Sequence, residues 1–186
     1  MATGIIPNPN KKTEQVPIHT ISTITHVGPI DDSFVNSIMT IVMGLNPFPS
    51  ELVINISSGG GDVRSGITAY NFLKQLPCVV HTHNLGEVSS AAILPFLAGK
   101  IRTADEVAKF VFHPATLSLN ETISYPRLRE LLSILDGDIH NYATIVKREL
   151  PVFCEQNDVE SFLTHDTITI TPPDGYRFGL LTPIPV

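Results

Sequence analysis

The chain has 186 residues, 42% of them hydrophobic and only 16% charged, with a formal net charge of -6 and a pI near 5.6. That length predicts one domain able to bury a substantial core, and the acidic balance argues against nucleic acid as the main partner. Two cysteines, Cys78 and Cys154, without metal-ligand spacing argue against a disulfide framework; no apolar run reaches membrane-span length and no signal-peptide core is visible, so a soluble, cytoplasmic protein is expected.

Residues 1–15 are polar, include Pro7 and Pro9, and carry no core pattern, as expected of a flexible arm or a segment ordered only in an assembly. Pro17 to Val27 is β-rich, through Ile18, Ile21, Ile24 and Val27. Gly28-Pro29 breaks it. Asp31, Asp32 or Ser33 then caps a helix whose apolar face is Val35, Ile38, Met39, Val42 and Met43. Glu51 to Ile56 is a near-continuous apolar run, typical of a central parallel strand.

The turn Ser57-Ser58-Gly59-Gly60-Gly61-Asp62 follows, and then a helix through Ile67, Tyr70, Phe72 and Leu73 that Pro77 closes. The turn lacks the Lys-Ser/Thr ending of a P-loop and the spacing of a dinucleotide site. Consecutive glycines let backbone N–H groups approach a ligand closely, or simply make a tight strand-to-helix turn. Cys78 to His81 reads as the next strand, ending in the stretch Asn84 to Gly99. A turn through Gly86 leads there to Ser89, Ser90 and a buried helix. A serine at a strand-to-helix junction is either an N-cap or a nucleophile beside unpaired N–H groups suited to an oxyanion. Ala108 to His113 is a fourth strand, ending in a histidine.

A long helix is expected from Tyr125 to about Leu150, with Leu128, Leu131, Leu132, Leu135, Ile139 and Tyr142 on one face. Asp158 reads as the cap of a short helix, and Asp166 precedes the β-rich Thr167 to Thr171. Strands alternating with helices imply right-handed crossovers and a mainly parallel sheet. The glycines, Ser90 and His113 then fall at the C-terminal ends of successive strands, the edge where open α/β sheets build ligand sites. His81 and His83 share a strand face, but no third ligand stands out, so structural histidines and no metal or cofactor are expected.

The motifs together resemble the Clp protease proteolytic subunit family, serine peptidases of the crotonase-like superfold. The likeness runs through Gly28-Pro-Ile-Asp-Asp-Ser-Phe-Val-Asn-Ser37, Ile56-Ser-Ser-Gly-Gly-Gly-Asp-Val-Arg-Ser-Gly66, Gly86-Glu-Val-Ser-Ser-Ala-Ala92, Phe110-Val-Phe-His-Pro114 and Phe178-Gly-Leu180, spanning about residues 17 to 182. The resemblance implies an α/β Clp-protease-like fold of βαβ spiral units with a protruding handle helix over about residues 122–150. It implies Ser90 as nucleophile, His113 as general base, and the N–H groups of Gly61 and Ala91 as oxyanion hole. Ser89 falls on a family alanine. For the third triad member it implies Asp166, in its Asp-Thr context, with Asp158 as competitor. It further implies peptide or unfolded-polypeptide substrates, stacked homo-oligomeric rings, and an ATP-dependent unfoldase of the AAA+ class as partner. The sequence departs from the family at Gly59, where a proline is usual, at Pro95, and over Thr116 to Ser124. Two rivals stand beside this reading. One is an acyl-CoA hydratase or isomerase of the same superfold, for which Asp62 and Glu87 are the carboxylate candidates; the other is a catalytically silent ring subunit.

Overall fold

The computed structural model describes residues 19–119 and 122–183, so the expected N-terminal arm lies outside the described residues. Its strands and helices in chain order are β1 Ile21–Val27, α1 Asp32–Met43, β2 Glu51–Ser58, α2 Val63–Lys74 and β3 Val79–Ser89. A 3-10 turn, Ser90–Ala92, leads into α3 Ile93–Leu97, followed by β4 Ile101–Ala104 and β5 Lys109–Phe112. The chain continues as α4 Tyr125–Glu149, α5 Pro151–Gln156, α6 Val159–Thr164, β6 Ile168–Ile170 and α7 Pro172–Arg177.

One sheet runs in the order β1-β2-β3-β5-β6, with β4 also paired to β3. Every pairing is parallel except β6, which lies antiparallel on β5. β2 alternates half-buried and buried residues, and the inward set Leu52, Ile54 and Ile56 is fully enclosed. Helices α1 and α2 each start at an aspartate: Asp31 accepts from the Phe34 N–H at 2.9 Å, and Asp62 from the Ser65 N–H at 2.7 Å. Such caps satisfy donors that the first helical turn leaves unpaired. The α1 face packs inward through Val35, Ile38 and Val42, but Met43, at the end of the helix, is 75% exposed.

The structure corrects three expectations. β3 continues well past His81, and Gly86 is not a turn. Ile56 pairs with Asn84 but Ser58 with Val88, so β3 carries two extra residues against β2 and Gly86 sits in a bulge. The Asn84 side chain braces this bulge, accepting from the Gly86 N–H at 2.9 Å and donating to the Lys109 carbonyl at 2.9 Å. Strand β4 is an addition to the expected elements, because Ile-Arg-Thr-Ala is short and half-buried on both faces. Finally, neither Ser89 nor Ser90 caps a helix with its side chain.

Helix α4 is the long element expected, but only its second half enters the core, through Tyr142, Ala143, Ile145 and Val146. Its first half stands away from the sheet, with Tyr125, Leu128 and Leu132 exposed. Among the described residues no helix is long and apolar enough to cross a membrane.

Candidate active site

The glycine turn after β2 is shaped by contact with two neighbours. Gly60 has φ +102° and Gly61 φ +149°, which side chains rarely adopt. A Cβ on Gly60 would lie 2.6 Å from Ser90 Cβ and 2.8 Å from the Ser89 carbonyl; one on Gly61 would lie 2.3 Å from the Ile30 carbonyl. The Gly60 N–H donates to Ser58 Oγ at 3.1 Å, and the Asp62 N–H to the Ile30 carbonyl at 2.8 Å. The Ile30 N–H in turn donates to the Gly60 carbonyl at 2.9 Å. In this parallel bridge between Ile30 and Gly61, the Gly61 N–H faces away from Ile30 and stays available.

Ser90 stands where β3 breaks into the 3-10 turn. It is the one non-glycine with positive φ, 52°, among the described residues. Backbone in this region is strained for a residue with a Cβ and tends to occur at functional positions. The next amide, Ala91 N–H, falls in the first turn and has no partner within the turn. It lies 3.2 Å from where a Gly60 Cβ would sit, so the glycine turn and the Ser90 turn are in direct contact. Ser89, by contrast, is buried and reaches the Val111 carbonyl at 3.4 Å.

His113 follows β5 directly. Its Nδ1 lies 2.9 Å from the Pro114 carbonyl, and since a carbonyl only accepts, Nδ1 carries the proton. In the neutral ring Nε2 is then the acceptor, the tautomer a general base requires. Ser90, Gly61 and His113 line one cavity of about 470 Å³, which Leu131, Leu135 and Ile139 of α4 also line.

The remaining candidates fall elsewhere. The Asp166 carboxylate is exposed, accepts from Ser161 Oγ at 2.8 Å and does not line the cavity. The segment that holds it nevertheless runs beside His113, because Phe112 pairs with Ile168 and the Ala115 N–H donates to the Leu163 carbonyl at 2.8 Å. Asp158 caps α6, accepting from the Glu160 N–H at 3.0 Å. Asp62 borders the cavity but is held as the α2 cap, and Glu87 pairs with Lys109 at 3.1 Å. His81 lies 3.2 Å from Glu51, and His83 is 2.8 Å from Thr103 Oγ1.

Sequence reasoning missed Tyr142. Its hydroxyl donates to the Ser90 carbonyl at 3.0 Å, and burial pushes its pKa well above the ordinary tyrosine value. The available signal was a phenol among aliphatic positions of a helix, since a buried tyrosine hydroxyl needs a partner. It also missed the pair formed across the cavity wall by Arg64 Nε and Asp138 Oδ2, at 3.2 Å.

Residues 14–124 match the family model for Clp protease. The chain belongs to the Clp protease family. The matched span of this Clp protease family member contains Gly61, Ser90, Ala91 and His113, while Asp166 lies beyond it. The fold is that of a solved structure of a ClpP1 point mutant from Listeria monocytogenes, with a TM-score of 0.67 over 86% of this chain and 88% of that one. Sequence identity between the two is 17%, so the likeness speaks for the fold, which is the crotonase-like one. Comparison with curated protein sequences finds no match.

Proposed function

We propose that this Clp protease family member is a serine endopeptidase subunit that cleaves peptides or unfolded polypeptides. The observation that carries the reading is one cavity bordered by Ser90 in its strained turn, Gly61 and His113. His113 Nε2 takes the Ser90 hydroxyl proton as Oγ attacks the scissile carbonyl carbon. The N–H groups of Gly61 and Ala91 bind the oxygen that becomes negative, where preorganised donors contribute most. The intermediate collapses as His113 gives its proton to the leaving amine. Water, with its proton taken by the same imidazole, then releases the acyl group from Ser90.

Asp166 is the orienting carboxylate in this proposal. It exchanges the Ser161 hydroxyl for the His113 Nδ1–H, and His113 gives up the Pro114 carbonyl. The exposed apolar half of α4 joins one ring of subunits to a second, and an ATP-dependent unfoldase supplies substrate to the enclosed chamber. The acyl-CoA reading has less support, because Asp62 is held as a helix cap and Glu87 is paired with Lys109. Hydrolysis of unstructured peptides by wild-type, Ser90→Ala, Ser89→Ala and His113→Ala proteins tests the proposal. Activity lost in Ser90→Ala and His113→Ala but kept in Ser89→Ala supports it; activity kept in Ser90→Ala refutes it.

A further inference from the structure

Ser90 is held in a conformation that its own Cβ disfavours, so its surroundings must impose it. Gly60 gives it room, and the Ile93 N–H donates to the Ser90 carbonyl within the turn. Both of these are backbone features of the site itself. The third contact is a side chain from 52 residues away, the Tyr142 hydroxyl on the same Ser90 carbonyl. The phenol cannot retreat to water. Tyr142 is 2% exposed and meets Phe112 edge-on at 6.4 Å between ring centroids, while Ala143 and Val146 hold this half of α4 in the core.

The Ser90 carbonyl and the Ala91 N–H are the two ends of one planar trans peptide. Whatever fixes the carbonyl therefore also fixes the direction of the N–H. A hydrogen bond accepted by that carbonyl polarises the peptide and makes its N–H a better donor.

We propose that Tyr142 is a positioning residue of the oxyanion hole: by holding the Ser90 carbonyl, it aims and strengthens the Ala91 N–H and keeps Ser90 in its strained turn. The inference rests on the reading of Ser90 as nucleophile. It assigns Tyr142 no contact with the reacting atoms. Its ring borders the cavity, but its hydroxyl is engaged by the Ser90 carbonyl, so the effect of that hydroxyl falls on the step in which the oxyanion forms.

Tyr142→Phe removes only the hydroxyl and keeps the ring against Phe112. In the assembled protein, peptide-hydrolysis kcat should fall about five- to tenfold, the worth of one hydrogen bond, with KM within about twofold of wild type. The rate at which a fluorophosphonate probe labels Ser90 should fall by a similar factor, because that reaction also builds negative charge on an oxygen. Ile145→Val, a methyl deletion on the same helix, serves as the structural control: its melting temperature should drop while both rates stay at the wild-type level. Wild-type rates in Tyr142→Phe overturn the inference, as does a loss confined to KM, or an equal loss of rate in Ile145→Val. If wild-type Ser90 is labelled in those cases, the peptidase reading survives. If wild-type Ser90 is not labelled at all, both fall together.

Discussion

Gly60 and Ser90 touch so closely that no side chain fits between them: a Cβ on the glycine would sit 2.6 Å from the serine Cβ. The contact joins the loop carrying one proposed oxyanion donor to the turn carrying the other. Gly60→Ala must therefore move backbone as well as strain its own φ of +102°. The expected cost is about 1–3 kcal/mol of stability, measured by denaturant unfolding, with Ser90 labelling lost. A variant of wild-type stability and reactivity would show that the two turns are not mechanically linked.

Asp166 tests how the histidine is oriented. If its carboxylate completes the triad, Asp166→Asn lowers the acylation rate by a factor on the order of 10⁴. Ser161→Ala, which frees the carboxylate from its present partner, should leave acylation intact or raise it. Asp158→Asn should cost only the α6 cap, about 1 kcal/mol in thermal or denaturant unfolding. Single-turnover acylation with an activated ester separates these outcomes, and an unchanged rate in Asp166→Asn removes Asp166 from the mechanism.

The difference in legibility between Asp158 and Asp166 has a physical cause. A helix cap is a local arrangement: the cap at Asp158, and a cap for α1 among Asp31, Asp32 and Ser33, are readable from the few residues after them. The order of strands and helices is readable for the same reason, since apolar runs and breakers are local. The partner of Asp166 depends on how α6, β6 and the His113 segment pack together, which no local pattern encodes. Gly86 misleads because a glycine in a bulge and a glycine in a turn look alike until the partner strand is known. Tyr142 reads as part of an apolar stripe, which its ring is; its hydroxyl acts over 52 residues of sequence separation. Gly61, Ser90, Ala91 and His113 are proposed as site residues from motif order, and the fold brings Gly61, Ser90 and His113 to one cavity.

Assembly gives a third prediction. The first half of α4 leaves Tyr125, Leu128 and Leu132 exposed, at 72%, 38% and 47%. Exposed apolar groups on one helix are expected to be covered by another subunit. Light scattering should report a large homo-oligomer, and Leu128→Asp with Leu132→Asp should yield a smaller species. A stable monomer at micromolar concentration contradicts this.

Alkaline stability gives a fourth. Burial, followed by the hydrogen bond to Glu149, raises the Tyr70 pKa from 10.0 to about 12. Because the folded value lies above the unfolded one, the stabilisation is complete below pH 10.0 and is lost as pH rises toward about 12. Unfolding free energy should therefore decline across that window. Tyr70→Phe should flatten the decline; an unchanged slope would mean that other groups set it.

Ser90 is the proposed nucleophile. A fluorophosphonate forms a bond from serine Oγ to phosphorus and expels fluoride, but only at a serine whose proton has an acceptor and whose attack is stabilised. Treatment of the assembled protein followed by peptide mass spectrometry should place a single phosphonyl group on Ser90, absent in Ser90→Ala and undiminished in Ser89→Ala. Modification of Ser89 in its place, or no modification of a folded and assembled protein, would contradict the account.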